Sequence, residues 1–335
     1  MGDREMGGDP GRFQQEIIAR LRDAGALAVG VATAAPVDDV TCRGFDSWLA
    51  RGDNAGMEYM ANHRAIRFDP RLLLERGARS IISMAFSYAT PRRRDPRLPG
   101  ISAYALLPDY HILIKSRIRH AISSLMPGVE NEDWRICVDS APILERYWAQ
   151  RAGIGIRGDN GNIIIPGVGG EVILAEVVTT LDMIADNPVE EGCLHCGACR
   201  RACPDRALRE DGTIDCHHCL SYLTIEHRGE WSDPRHIHAM ATPEGRHTLF
   251  GCDRCVKVCP MHRPKEDSDL PIPLSEPVEE ILSLSPEQII SCSEGLRRIL
   301  RHSSLSRSKM PDLIRNARNV IKKLAPSFAF FVLKS

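Results

Sequence analysis

The chain has 335 residues, with 43 Lys and Arg against 44 Asp and Glu, for a formal net charge of -1. Bulk charge therefore points to neither nucleic acid nor membrane, and any such partner must be met by a local patch. The polar start MGDREMGGDPGRFQQE lacks a secretory apolar core, and no apolar stretch approaches the roughly 20 residues that span a bilayer. A cytoplasmic protein with no membrane partner is expected. The length suits more than one domain.

In chain order, residues 12–24 place Ile17, Ile18 and Leu21 on one helical face and end at Gly25, a plausible C-cap. ALAVGVA follows as a strand. Further strand-like runs are 79–88, 134–139 and 171–181, with helix-like stretches at 109–125 and 143–152. This alternation predicts an α+β or α/β domain over residues 1–185. From 186 to 265 the periodicity fades and Cys, His, Gly and Pro dominate, the mark of a small domain held by metal rather than by apolar burial. HRPKEDSDLPIPLSEP reads as an acidic, Pro-rich linker opening a third region, 266–335, with helices over 279–324. From 295 onward ten Lys and Arg face one acid, Asp312, which makes this end either an RNA surface or a solvated helix face.

Of 12 cysteines, nine lie between Cys193 and Cys259. CLHCGACRRACP gives Cys193, Cys196, Cys199 and Cys203 at the C-x2-C-x2-C-x3-C-P spacing of bacterial ferredoxins, whose fourth cysteine serves the other cluster of a pair. GCDRCVKVCP offers Cys252, Cys255 and Cys259, and DCHHCLSY supplies Cys216 and Cys219. The crossed assignment puts Cys193, Cys196, Cys199 and Cys259 on one 4Fe-4S cluster. Cys203, Cys219, Cys252 and Cys255 go on the other, and Cys216 is spare. Structural zinc is the competing reading of such knuckles. Cys42, Cys137 and Cys292 stand alone, as packing residues do.

Two clusters imply a wire to a second redox site in the N-terminal region, where no GxGxxG follows a strand, so a nicotinamide cofactor is not expected. MEYMANHRAIRFDPRLLL, YALLPDYH, VDSAPILERYWAQRAGIG, the cluster run, CLSYLTIEHRG and FGCDRCVKVCP recur in this order in epoxyqueuosine reductases, which the sequence resembles over residues 15–262, with an echo in HSSLSRSKMPDLIRNA. The resemblance implies reduction of epoxyqueuosine to queuosine in the anticodon loop of tRNA. Electrons from an external low-potential donor would pass through two 4Fe-4S clusters to cobalamin, held between an N-terminal domain and a ferredoxin-like domain.

The resemblance makes Asp139 of VDSAP the proton donor and a cofactor contact. At a strand end facing an enclosed pocket its pKa would be pushed up; the plain alternative is a helix N-cap. It also makes Arg64, Ser221, Cys252 and Asp253 cobalamin contacts, and Tyr110 and His111 substrate-pocket residues. The chain departs from the family at YALLPDYH, where a glycine and a basic residue are lost, and at IRGDNGN, where a tryptophan and a lysine are lost. Both lie where the family holds cobalamin or the nucleoside. The competing functions are a cobalamin-dependent reductase of a small molecule, as in reductive dehalogenation, and a non-catalytic ferredoxin-type carrier. If tRNA binds, Arg297, Arg298, Arg301, Arg307, Lys309, Arg315 and Arg318 would supply phosphate contacts.

Overall fold

A computed structural model describes residues 10–89, 94–189, 192–263, 277–301 and 303–324. Its centre is a four-stranded antiparallel sheet in the order Ala28–Thr33, Ser80–Ser87, Val172–Thr179, Trp134–Cys137. The strand SIISMAFS is buried along its whole length because both faces of the sheet are covered. On one face Ile82, Met84 and Phe86 meet Ile17 and Leu21 of the Pro10–Asp23 helix and Ile114, Ile118 and Ile122 of the Tyr110–Ile122 helix. On the other, Ile81, Cys137 and Val178 meet Trp148 of the Glu145–Arg151 helix. Antiparallel pairing settles the class as α+β.

The predicted elements appear at slightly shifted bounds. The first helix ends before Gly25, whose φ of +103° only glycine adopts without cost. Gly30 has a different reason: a Cβ there would lie 2.0 Å from the carbonyl oxygen of Ala152, so the sheet admits the end of the Glu145–Arg151 helix only over a bare backbone.

The cysteine region is built of short helices, Ala198–Ala202, Leu220–Ile225, Pro234–Ala241 and Arg254–Lys257. It is tied to the sheet domain by buried charge: Asp53, 2 % exposed, accepts from Arg209 at 2.6 and 2.9 Å and from Arg51 at 2.8 Å. Asp253 accepts from Ser102 and, at 2.6 Å, from the backbone N–H of Ala103. The third region forms helices Pro277–Ser283, Pro286–Ser291, Glu294–Arg301 and Met310–Leu324. Leu296, Leu300, Leu313 and Ala317 share a core with Ala105, Leu106, Ile225 and Phe250, while Leu107 packs in the core of the sheet, so the LL of YALLPDYH serves as packing. Most of the linker, and the tail PSFAFFVL, lie outside the described residues.

Arg315 corrects one expectation. It is 4 % exposed and donates to the carbonyls of Leu223 (3.0 Å) and His227 (3.3 Å), and to that of Gly229, so it holds the fold and offers nothing to phosphate. Arg297, Arg298, Arg301, Lys309 and Arg318 do remain exposed. Among the described residues no helix is long and apolar enough to cross a membrane.

Because a Cβ at Gly30 meets the rigid carbonyl of Ala152, Gly30→Ala should cost about 1–3 kcal/mol of stability. Urea unfolding of the two proteins checks this; an unchanged midpoint would contradict the packing.

Candidate active site

The Trp134–Cys137 strand delivers its chain into a tight turn. Val138 is buried, Asp139 takes a left-handed φ of +57°, and the N–H of Ser140 donates to the carbonyl of Val138 at 2.6 Å. A non-glycine residue at positive φ costs of order 1 kcal/mol and persists where its surroundings hold it. Here the N–H of Asp139 donates to Glu145 Oε1 at 2.6 Å. The helix after VDSAP begins at Glu145 with Leu144 as its N-cap, which removes the N-cap reading of Asp139.

Two neighbours from the Tyr110–Ile122 helix meet the carboxyl. Tyr110 donates its hydroxyl to Asp139 Oδ2 at 2.8 Å, and His111 Nε2 lies 3.1 Å from the same oxygen. The other ring nitrogen of His111 lies 2.9 Å from Asp109 Oδ1, and Asp109 also caps the helix by accepting from the N–H of His111 at 3.0 Å. Tyr110 and His111 stack with centroids 4.1 Å apart, and Tyr104 stands edge-on to Tyr110 at 5.9 Å.

Electrostatics here reverse the expected sign. Burial would raise the Asp139 carboxyl, but the hydrogen bonds from His111 and Tyr110, with the charges of His111 and Arg307, outweigh it and hold Asp139 below the usual carboxylate range. The proton goes to His111 instead. Burial opposes its charge, yet Asp109 and Asp139 on either side push it up to about 9. The resting site at neutral pH is thus an imidazolium between two carboxylates.

Asp139 is 56 % exposed although burial is the largest single influence on its carboxyl, and Arg146 combines the same two properties. Side chains both deep and accessible line a cleft that the protein leaves open. Arg307 closes one side: it pairs with Glu226 at 2.6 and 3.0 Å, and its guanidinium lies 5.8 Å from the ring centre of Tyr59.

Two further cavities belong to the cysteines. One is lined by Cys193, Cys196, Cys199 and Cys259; the other by Cys203, Cys219, Cys252 and Cys255. Burial first, then the charges of Cys219 and Asp253, push the Cys252 thiol up to about 12. Such thiols share a cavity as thiolates only around a cation. Cys216 is buried and lines neither cavity. The divergent turn IRGDNGN holds this region in place: Asp159 bonds His195 at 2.8 Å and Arg200 at 3.2 Å, and Asn160 donates to the carbonyl of Cys255 at 3.1 Å.

Other expected contacts fall differently. Arg64 pairs with Asp46, Nε to Oδ1 at 3.0 Å, and stacks over Phe68. The Asp253 carboxylate is occupied by Ser102, Ala103 and Lys257. Ser221 is half-buried and gives its N–H to Cys219. Sequence reasoning missed Glu145, Glu226 and Tyr59, and expected Arg307 among the phosphate contacts, whereas it pairs with Glu226 beside Tyr59. Glu145 reads as an ordinary first-turn helix acid, and Arg307 and Glu226 are 81 residues apart and meet only in the fold.

Residues 192–262 match the family described as 4Fe-4S double cluster binding domain, and residues 67–140 match epoxyqueuosine reductase QueG, DUF1730. The chain is 32% identical over 296 residues to an epoxyqueuosine reductase of Cellulophaga algicola, covering 87% of this chain and 92% of that protein. It is 34% identical over 269 residues to that of Escherichia coli, 76% of this chain and 69% of the other. A solved epoxyqueuosine reductase of Bacillus subtilis, its catalytic aspartate loop swung out of the active site, superposes with a TM-score of 0.79 at 27% identity, over 93% of this chain and 82% of that one. Another, holding a tRNA stem loop modified with epoxyqueuosine, superposes at 0.75 and 26% identity over the same shares. An oxidoreductase with a double 4Fe-4S domain, matched to these enzymes along almost its whole length, the chain belongs to the epoxyqueuosine reductase family.

Proposed function

We propose that this protein reduces epoxyqueuosine to queuosine in the anticodon loop of tRNA, in the cytoplasm. The observation that carries the reading is the Tyr110–His111–Asp139 constellation at the edge of an open cleft, on a chain 32% identical to a family reductase over 92% of its length. Residues 1–185 are the substrate and cobalamin domain, 186–265 the two-cluster domain, and 266–335 the linker and helical segment.

Cys193, Cys196, Cys199 and Cys259 would hold one 4Fe-4S cluster, and Cys203, Cys219, Cys252 and Cys255 the other. Cys196 is exposed, so an external low-potential donor reaches the first set most readily. The deep but accessible walls at Asp139 and Arg146 suit a large cofactor with polar arms. Cobalamin would lie there against Asp139, Ser221 and Cys252, and when bound it supplies a strongly reducing cobalt centre. Arg64 and Asp253 would join that contact through backbone, since their side chains are already paired.

The residues of this chain handle the protons. Removing the epoxide oxygen as water consumes two electrons and two protons. Tyr110 and His111 fix the Asp139 carboxylate toward the cleft, and the proton resting on His111 passes through Asp139 Oδ2 to the epoxide oxygen as its bond to carbon breaks. The exposed Arg297, Arg298, Arg301, Lys309 and Arg318 supply phosphate contacts to the RNA.

Anaerobic purification with added cobalamin, metal analysis and an assay on epoxyqueuosine-containing tRNA test this. About eight irons, one cobalt and product queuosine are expected. Cobalt without product would move the substrate to a small molecule, and irons without cobalt would leave an electron carrier. Asp139→Asn should bind clusters and RNA normally and lose at least roughly 100-fold in turnover; undiminished turnover would remove Asp139 from the proton path. Cys216→Ser should keep the full iron count while Cys219→Ser loses up to half; the reverse would overturn the assignment.

A further inference from the structure

The reduction takes up two protons, and His111 behind Asp139 accounts for one. Glu145, unused so far, sits beside the same turn. Its Oε1 accepts the N–H of Asp139 at 2.6 Å, and the residue is half-buried at the start of the Glu145–Arg151 helix. Behind it, on the Val172–Thr179 strand, Glu176 is wholly buried and neither carboxyl oxygen has a hydrogen-bond partner. An ionised carboxylate there would be uncompensated, so Glu176 stays a neutral acid, held so by its burial. A buried, unpartnered carboxyl in a central strand is costly, and such groups gather where protons are handled.

The groups facing Glu145 are Asp139 from the turn, His111 from the Tyr110–Ile122 helix, Arg146 from its own helix, Glu176 from the sheet and Cys137 from the neighbouring strand. Burial and the Asp139 charge favour its neutral form. The N–H of Asp139, Arg146 and His111 oppose them, and the outcome lies at about 8. Glu145 is therefore mostly protonated at neutral pH, one peptide group away from an ionised Asp139.

We propose that Glu145 is the second proton source of the reaction, holding its proton beside the Asp139 turn and releasing it in the turnover that discharges His111. This rests on the function proposed above. The His111 proton goes to the epoxide oxygen as the first C–O bond breaks. The Glu145 proton turns the departing hydroxyl into water as the second bond breaks. The clusters and cofactor, when bound, would supply the two electrons; the alkene forms, and both residues regain protons from solvent through the open cleft.

Glu145→Gln discriminates, because its amide oxygen still accepts the N–H of Asp139 but it has no proton to give. Difference infrared spectra of the purified protein, independent of turnover, should show a protonated-carboxyl band that fades as pH rises through about 8 and is missing in Glu145→Gln. In single turnover on epoxyqueuosine-containing tRNA the variant should be slower by roughly 100-fold. Its alkaline decline should move from about 8 toward the His111 value of about 9. A variant with wild-type rate and pH profile, or a wild-type protein lacking the titrating band, would overturn the proposal. A wild-type protein that shows the band but leaves this RNA unreduced would instead overturn the proposed function.

Discussion

The site depends on one shared oxygen. Asp139 Oδ2 takes the Tyr110 hydroxyl at 2.8 Å and lies 3.1 Å from His111 Nε2, and these contacts decide which residue keeps the proton. A carboxyl in a cleft with no such partners would be raised by desolvation and would carry its own proton. Here the imidazole, itself flanked by Asp109, has the stronger claim. In the reaction proposed above, the acid would then be the histidine–aspartate pair, with the aspartate as the face it presents.

That arrangement makes demands on the scaffold. The strand must end where Asp139 can turn at positive φ, the helix that follows must start with an acceptor for its N–H, and the Tyr110–Ile122 helix must present two consecutive side chains from its first turn. Gly30 permits the Glu145–Arg151 helix to approach the sheet, and Asp109 fixes the Tyr110–Ile122 helix by capping it. The cysteine cavities are held against this frame by buried carboxylates: Asp53 grips Arg209, and Asp253 grips Ser102 and Ala103. A carboxylate buried this way is costly unless fully bonded, and both are. The ties therefore fix the cysteine region relative to Asp139, as electron delivery requires.

Much of this was legible before the fold. Cysteine spacing gave two sets of four, and the two cavities hold the same sets, because the crossed ferredoxin pattern follows from local loop geometry. The strands and helices of the first domain were readable from their apolar periods to within a few residues, since both sheet faces are buried. What sequence could not give is what depends on long-range charge. The sign of the Asp139 shift turns on His111, 28 residues away. Arg315 reads as one more exposed cation in a basic helix until the carbonyls of Leu223, His227 and Gly229 are seen to surround it. Glu176 reads as a polar break in an apolar strand, and only three dimensions place it behind Glu145.

The location of the resting proton can be measured without turnover. NMR titration of the protein with labelled histidine should show the His111 ring charged through neutrality, changing near 9, and shifting toward the ordinary histidine value when Asp139 is replaced by Asn. A His111 that titrates near that ordinary value in the wild type, unaffected by the replacement, would contradict the account and return the proton to Asp139.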